Sequence, residues 1–181
     1  MVLSRCARAT AEQAETAKKK FLEGGVNGFA RVSSAAEKID YPSWLGVLPL
    51  AHCRQSDGKS KLVWQTAPVS GDLKPDTVVQ FRLPVGLGFY SQASGEFDLR
   101  LNGKHALAFN VTLSDLTWQD PDGRISMGYM AMENNSEDSN GILLINVSGA
   151  LLEAGQPATF EVIGSAANSQ RWFGVYLLSV K

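Results

Sequence analysis

The sequence predicts an all-β protein, an antiparallel β-sandwich with a short helical extension at its N-terminus. Three observations predict it. From residue 41 onward, apolar and polar side chains alternate with period two over many short runs, as half-buried strands require. Turn residues separate those runs at short intervals. Residues 62–181 hold no apolar pattern long enough for the crossover helix that a parallel sheet needs.

The extension comes first. Only two of the 16 aromatic residues, Phe21 and Phe29, precede residue 41, so the composition divides the chain into an extension (1–40) and a sandwich domain (41–181). Within the extension, Thr10 can cap a helix, with Gln13 three residues later as in a capping box. Ala11, Ala14, Ala17, Phe21 and Leu22 follow at helical spacing, and Gly24-Gly25 supplies a stop. The apolar face is narrow and mostly alanine, so light packing is expected.

The strands follow in order. Runs are predicted at 45–53, 61–66 and 77–83, with Pro49 marking the first as an edge strand or a bulge. Pro84 to Gly88 reads as a turn. Phe97, Leu99 and Leu101 alternate with Glu96, Asp98 and Arg100. Asn102-Gly103 then signals a type I′ turn, because both central positions of that turn need positive φ. Leu107, Phe109 and Val111 complete a hairpin over 96–111. Further runs are 125–132, 141–147, 158–163 and 172–180, separated by Asp120-Pro121-Asp122-Gly123 and Gly155-Gln156-Pro157.

Composition limits function. At 181 residues and 44% hydrophobic, the chain can bury a core without disulfides or metal, and it is neither disordered, collagenous nor a long coiled coil. Its net charge is −1, split as +4 over residues 1–61 and −5 over 62–181, so no strong positive field attracts nucleic acid. No stretch approaches the roughly 20 apolar residues of a membrane-spanning helix, and no membrane partner is expected. The basic start, Met1 to Arg8, lacks the apolar stretch of an intact secretory signal. Cys6 and Cys53 make no metal or redox motif. Cys53 is expected as a free buried thiol, with a Cys6–Cys53 bridge the alternative.

Three stretches resemble a known family: Gly95 to Lys104 with its FDLRLNG core, Asn146 to Ala158 with Ala150-Leu151-Leu152-Glu153-Ala154-Gly155, and Trp172-Phe173-Gly174-Val175. In that order they look like the galactose-binding-domain-like jelly rolls that accompany glycoside hydrolases, polysaccharide lyases and sialate O-acetylesterases. The resemblance covers about residues 41–181 and implies a jelly-roll sandwich, a carbohydrate ligand, a polysaccharide-processing enzyme as companion, and a secreted or periplasmic location. No run here matches the calcium-binding pattern of some members of that family, and no cofactor is expected.

The residues themselves offer little catalytic chemistry. No G-x-S-x-G elbow is present. His52 and Cys53 are adjacent on a strand and point to opposite faces, so they form no dyad. His105, beside the hairpin turn, is expected to face solvent or to cap a backbone carbonyl. The run Glu133 to Asn140 is rich in oxygen and is expected as a solvated acidic loop, with a weak structural calcium site the alternative. Asn110, Asn134 and Asn146 carry glycosylation sequons.

Aromatic rings are the better clue, since flat rings cover the apolar faces of a pyranose while polar groups bond its hydroxyls. Trp64 and Trp172 lie in strand runs and are expected in core or edge packing, whereas Trp118 and Trp44 adjoin loop-like stretches. The expected site at the loop end comprises Tyr90, Trp118, Arg124, Asn135, Asp138 and Arg171. The expected function is non-catalytic carbohydrate binding. One alternative is an assembly domain that uses the N-terminal helix. Another is a small jelly-roll lyase or hydrolase working through Tyr90 or His105.

Overall fold

Asn102 and Gly103 take φ of 51° and 78°, so the predicted tight turn forms. It joins β6 (Glu96–Leu101) to β7 (Lys104–Asn110), with Phe97 opposite Phe109 and Leu99 opposite Leu107. The computed structural model describes residues 8–23, 29–32, 37–54, 61–88, 96–110, 116–135, 137–164 and 171–177.

Around this hairpin stand β1 (Phe29–Val32), β4 (Lys61–Pro68) and β11 (Pro157–Gly164), in a five-stranded sheet ordered β1-β4-β11-β6-β7. The second sheet has seven strands. It holds β2 (Glu37–Ser43), β3 (Gly46–Arg54), β5 (Val78–Gly88), β8 (Thr117–Gln119), β9 (Ile125–Asn134), β10 (Asp138–Ser148) and β12 (Trp172–Tyr176), ordered β2-β3-β12-β5-β10-β9-β8. Every pairing is antiparallel, so the chain is an all-β sandwich with one helix near its N-terminus.

The inner faces meet in one apolar core. Leu62, Trp64, Phe97, Leu99, Phe160 and Val162 come from the smaller sheet, and Leu83, Val85, Met127, Leu143, Ile145, Phe173 and Val175 from the larger. Trp64 is fully buried and stacks on Phe160 and Phe173 at 5.4 and 6.3 Å between centroids. Each such side chain is worth roughly 1.5–3 kcal/mol of burial. Leu152 closes one end of the core, after a 3₁₀ turn over Gly149–Leu151, and Gly155 follows at φ 77°. Cys53 is buried in this core, where its thiol reaches the Val162 carbonyl.

Several expectations are corrected. Pro84 to Gly88 is not a turn but half of β5: Val85 and Leu87 face the core, and Gly86 and Gly88 face outward. Pro84 stands opposite Ile142 within the β5–β10 ladder and one residue past the last β5–β12 pair, at Val85. Pro49 lies in neither an edge strand nor a bulge, since β3 runs between β2 and β12. It stands at the end of the β12 ladder, where its carbonyl accepts from Leu177 N–H. Strand β1 and the first four residues of β2, Glu37 to Asp40, fall among residues assigned to the extension, and β8 was not anticipated. β12 ends at Tyr176. The expected glycine stop of the helix, Cys6 and Val111 lie outside the described residues.

The helix α1 (Ala11–Leu22) has the expected start: Thr10 Oγ1 accepts from Gln13 N–H, and Gln13 Oε1 accepts from Thr10 N–H. It lies on the outer face of the seven-stranded sheet. Phe21 packs with Leu45 and Ile142, and Ala9 N–H donates to the Ala131 carbonyl at 2.9 Å. Among the described residues, no helix is long and apolar enough to cross a membrane.

Candidate ligand-binding face

The site begins with what β5 lacks. Gly86 and Gly88 leave a bare strip on the outer face of the seven-stranded sheet, and β12 and β10 fill it from either side. A Cβ on Gly88 would lie 1.9 Å from Trp172 Nε1, 2.2 Å from Cδ1 and 2.4 Å from Cε2, so the indole is laid face-down over that residue. Its far edge reaches Gly86, where a Cβ would lie 3.0 Å from Cη2 and Cζ3. Trp172 therefore runs along β5 and is half-buried rather than sealed in the core.

Other side chains converge on it. Tyr41 and His52 meet the indole edge-to-face, at 5.4 and 6.0 Å between centroids. Tyr176 OH donates to Asn140 Oδ1 at 2.6 Å across the bare strip of β5. Asn140 Nδ2 in turn approaches Glu133 Oε2 at 3.4 Å. Tyr41 lies on β2 and Asp138 on β10, four strand spacings or about 19 Å apart in a flat sheet. Yet the Tyr41 hydroxyl reaches the Asp138 carboxylate. The sheet thus curls, and this face is concave.

Electrostatics follow from the same geometry. Burial, the contact with Asp138 and the nearby Glu133 hold the Tyr41 hydroxyl above its ordinary value. Tyr176 is raised by burial and by the same two carboxylates. Tyr129, whose hydroxyl pairs with Ser139 Oγ at 2.7 Å, is raised by burial. The face is thus an indole, two phenols kept protonated, an amide and two carboxylates. Tyr176, Asn140 and His52 are buried beneath it, so what it offers a ligand is the half-buried indole as stacking surface, the Tyr41 hydroxyl and the Asp138 and Glu133 carboxylates.

No family model, curated protein or solved structure matches the chain.

The structure divides the residues expected to form the site. Asp138 belongs to the concave face. Asn135 is beside it in the β9–β10 turn, where its Oδ1 accepts from Glu137 and Asp138 N–H at 2.7 Å each. Arg171 directly precedes Trp172 and is buried, which pulls its guanidinium below the ordinary arginine value. Trp118 stands elsewhere. It lies opposite Met127, which pairs with Ile145, seven residues and about 23 Å along β10 from Asp138. Its ring packs on Phe109 at 5.6 Å, so it completes the core margin. Arg124 is farther still and is held by Asp122 at 2.8 Å. Tyr90 lies outside the described residues.

The acidic loop is less open than its composition implied. Asn135, Asp138, Ser139 and Asn140 all engage neighbouring groups. Among the described residues no group of three or more acids, histidines or cysteines could hold a metal ion. His105 faces solvent as expected and lies 4.0 Å from Asp98, on the other sheet. His52 and Cys53 do point to opposite faces, His52 to Trp172 and Cys53 to the core.

Sequence reasoning missed Tyr41, His52, Glu133, Asn140, Trp172 and Tyr176 as one site. One signal was available. Gly86 and Gly88 sit at spacing two, which puts both on one face if the segment is a strand, and paired glycines on a strand face accept a large ring.

Proposed function

We propose that the chain is a non-catalytic carbohydrate-binding module and that its glycan binds on the concave face around Trp172. The observation that carries this reading is the half-buried indole laid on the Gly86–Gly88 strip and met by Tyr41 and His52, with Asp138 beside Tyr41 and Glu133 beside Asn140. Stacking on the ring would supply most of the contact, and the Tyr41 hydroxyl and the two carboxylates would select hydroxyl geometry.

The charge of the face narrows the ligand. Asp138 and Glu133 favour neutral sugars or sugars bearing an amino group, and they oppose uronates by like-charge repulsion. The galactose-binding-domain-like jelly rolls remain our family reading, supported by the β6–β7 hairpin, the Leu151–Leu152 segment and the Trp172 strand. Companionship with a polysaccharide-processing enzyme outside the cytoplasm belongs to the same proposal.

Affinity electrophoresis through gels holding xylan, galactan, mixed-linkage glucan, chitosan and alginate tests it. Retardation by a neutral or amino glycan, lost on Trp172→Ala with the circular dichroism spectrum retained, is the expected result. Free migration through every gel would overturn the reading.

A further inference from the structure

We propose a second binding site, for a single acyl chain with an anionic head group, in the cleft between α1 and the seven-stranded sheet. The cleft has a volume of about 570 Å³, within the roughly 300–1,000 Å³ range of small-molecule sites.

Its floor and roof do not match. The floor is apolar: Met130, Met132, Ile142 and Leu144. The roof is the α1 flank at positions 13, 16, 17 and 20, where Ala17 is half-buried and Gln13, Thr16 and Lys20 are exposed at the rim. A helix closing fully over this floor would need large apolar residues at Ala17 and its neighbours. Here Ala9 pins one end to Ala131 and Phe21 pins the other to Ile142 and Trp44, while the short or polar side chains between them leave a gap. The two methionines give that floor an adaptable surface.

Charge orients the ligand. Lys20 and Arg82 line one part of the cleft, and neither has an acidic partner among the described residues. Arg82 uses Nε on Gln80 Oε1 at 2.8 Å. The acid on the lining, Glu12, lies eight residues before Lys20, about 12 Å along the helix axis. An anionic head therefore sits between Lys20 and Arg82, and the chain runs under α1 over Met130 and Met132.

Calorimetric titration with monomeric fatty acids of 8, 10 and 12 carbons tests the site. Affinity should rise about fourfold per added methylene until the cleft is filled. The double substitution Lys20→Ala, Arg82→Ala should weaken dodecanoate at least tenfold and leave dodecanol unchanged. Ala17→Trp should fill the cleft and abolish both, with thermal melts showing that each variant is folded. Absence of dodecanoate binding to the unmodified chain would overturn the proposal, as would undiminished binding by Ala17→Trp or equal loss of acid and alcohol in the double variant. A parallel arm uses phosphatidylglycerol vesicles. Binding to vesicles without binding to monomeric dodecanoate would also overturn it, since the surface would then recognise a bilayer.

Discussion

The Trp172 indole rests face-down on Gly88, close enough that no side chain of any size fits beneath it. Gly88→Ala should therefore displace the ring, cost about 1–3 kcal/mol by overpacking and remove glycan retention. Gly86→Ala meets the distal ring edge at 3.0 Å and Asn140 Oδ1 at 3.1 Å, looser contacts than those at Gly88, and should cost less. Urea unfolding of the two variants checks the order. Equal stabilities would mean that the ring does not occupy this strip.

Asn140 and Tyr176 form the hydrogen bond that bridges β10 and β12 over the same strip, and both are buried. Asn140→Ala leaves a buried hydroxyl without this acceptor and should cost about 1–3 kcal/mol. Tyr176→Phe removes the hydroxyl itself, and in that background Asn140→Ala should cost less. A double-mutant cycle measures the difference, and a coupling energy near zero would count against the bond.

The fold was largely legible because most of its strands bury one face. Alternation at Phe97, Leu99 and Leu101, and the positive-φ pair Asn102-Gly103, specify a hairpin with no tertiary information. The capping box at Thr10 and Gln13 is equally local. What failed was context. Pro84-Val85-Gly86-Leu87-Gly88 has turn composition, yet its glycines serve a ring from a strand 84 residues later, at Trp172. The site failed for the same reason. Tyr41 and Asp138 meet only because a seven-stranded sheet curls, and curvature is a property of the assembled sheet that no single strand displays. Trp118, next to a polar turn, had the sequence surroundings of an exposed ring, but β8 lays it on Phe109.

Thr10 should act locally. Thr10→Ala removes the side-chain acceptor for Gln13 N–H and should cost the helix about 1 kcal/mol. The core between the sheets includes no residue of α1, so the melting temperature should change little. Hydrogen exchange of amides in α1 should accelerate about fivefold, the factor that 1 kcal/mol corresponds to. An equal loss of protection in β10 would show instead that helix and sandwich unfold as one unit.

Alkaline pH should unfold the protein through its buried phenols. Tyr129 and Tyr176 have hydroxyls raised above the ordinary value of 10.0, chiefly by burial. Unfolded chains release these protons near pH 10, whereas the folded chain keeps them. Above pH 10 the folded state thus binds more protons than the unfolded state, and stability falls as pH rises. Below about pH 9 both states are protonated and the two tyrosines contribute no slope. Each should account for up to about 1.4 kcal/mol per pH unit between pH 10 and its folded value. Half-buried Tyr41, raised as well, adds a smaller part because solvent screens it. Urea unfolding from pH 8 to 11 should show this decline, and Tyr129→Phe or Tyr176→Phe should each remove about one proton from the slope. A slope unchanged by both substitutions would place the alkaline loss on other groups.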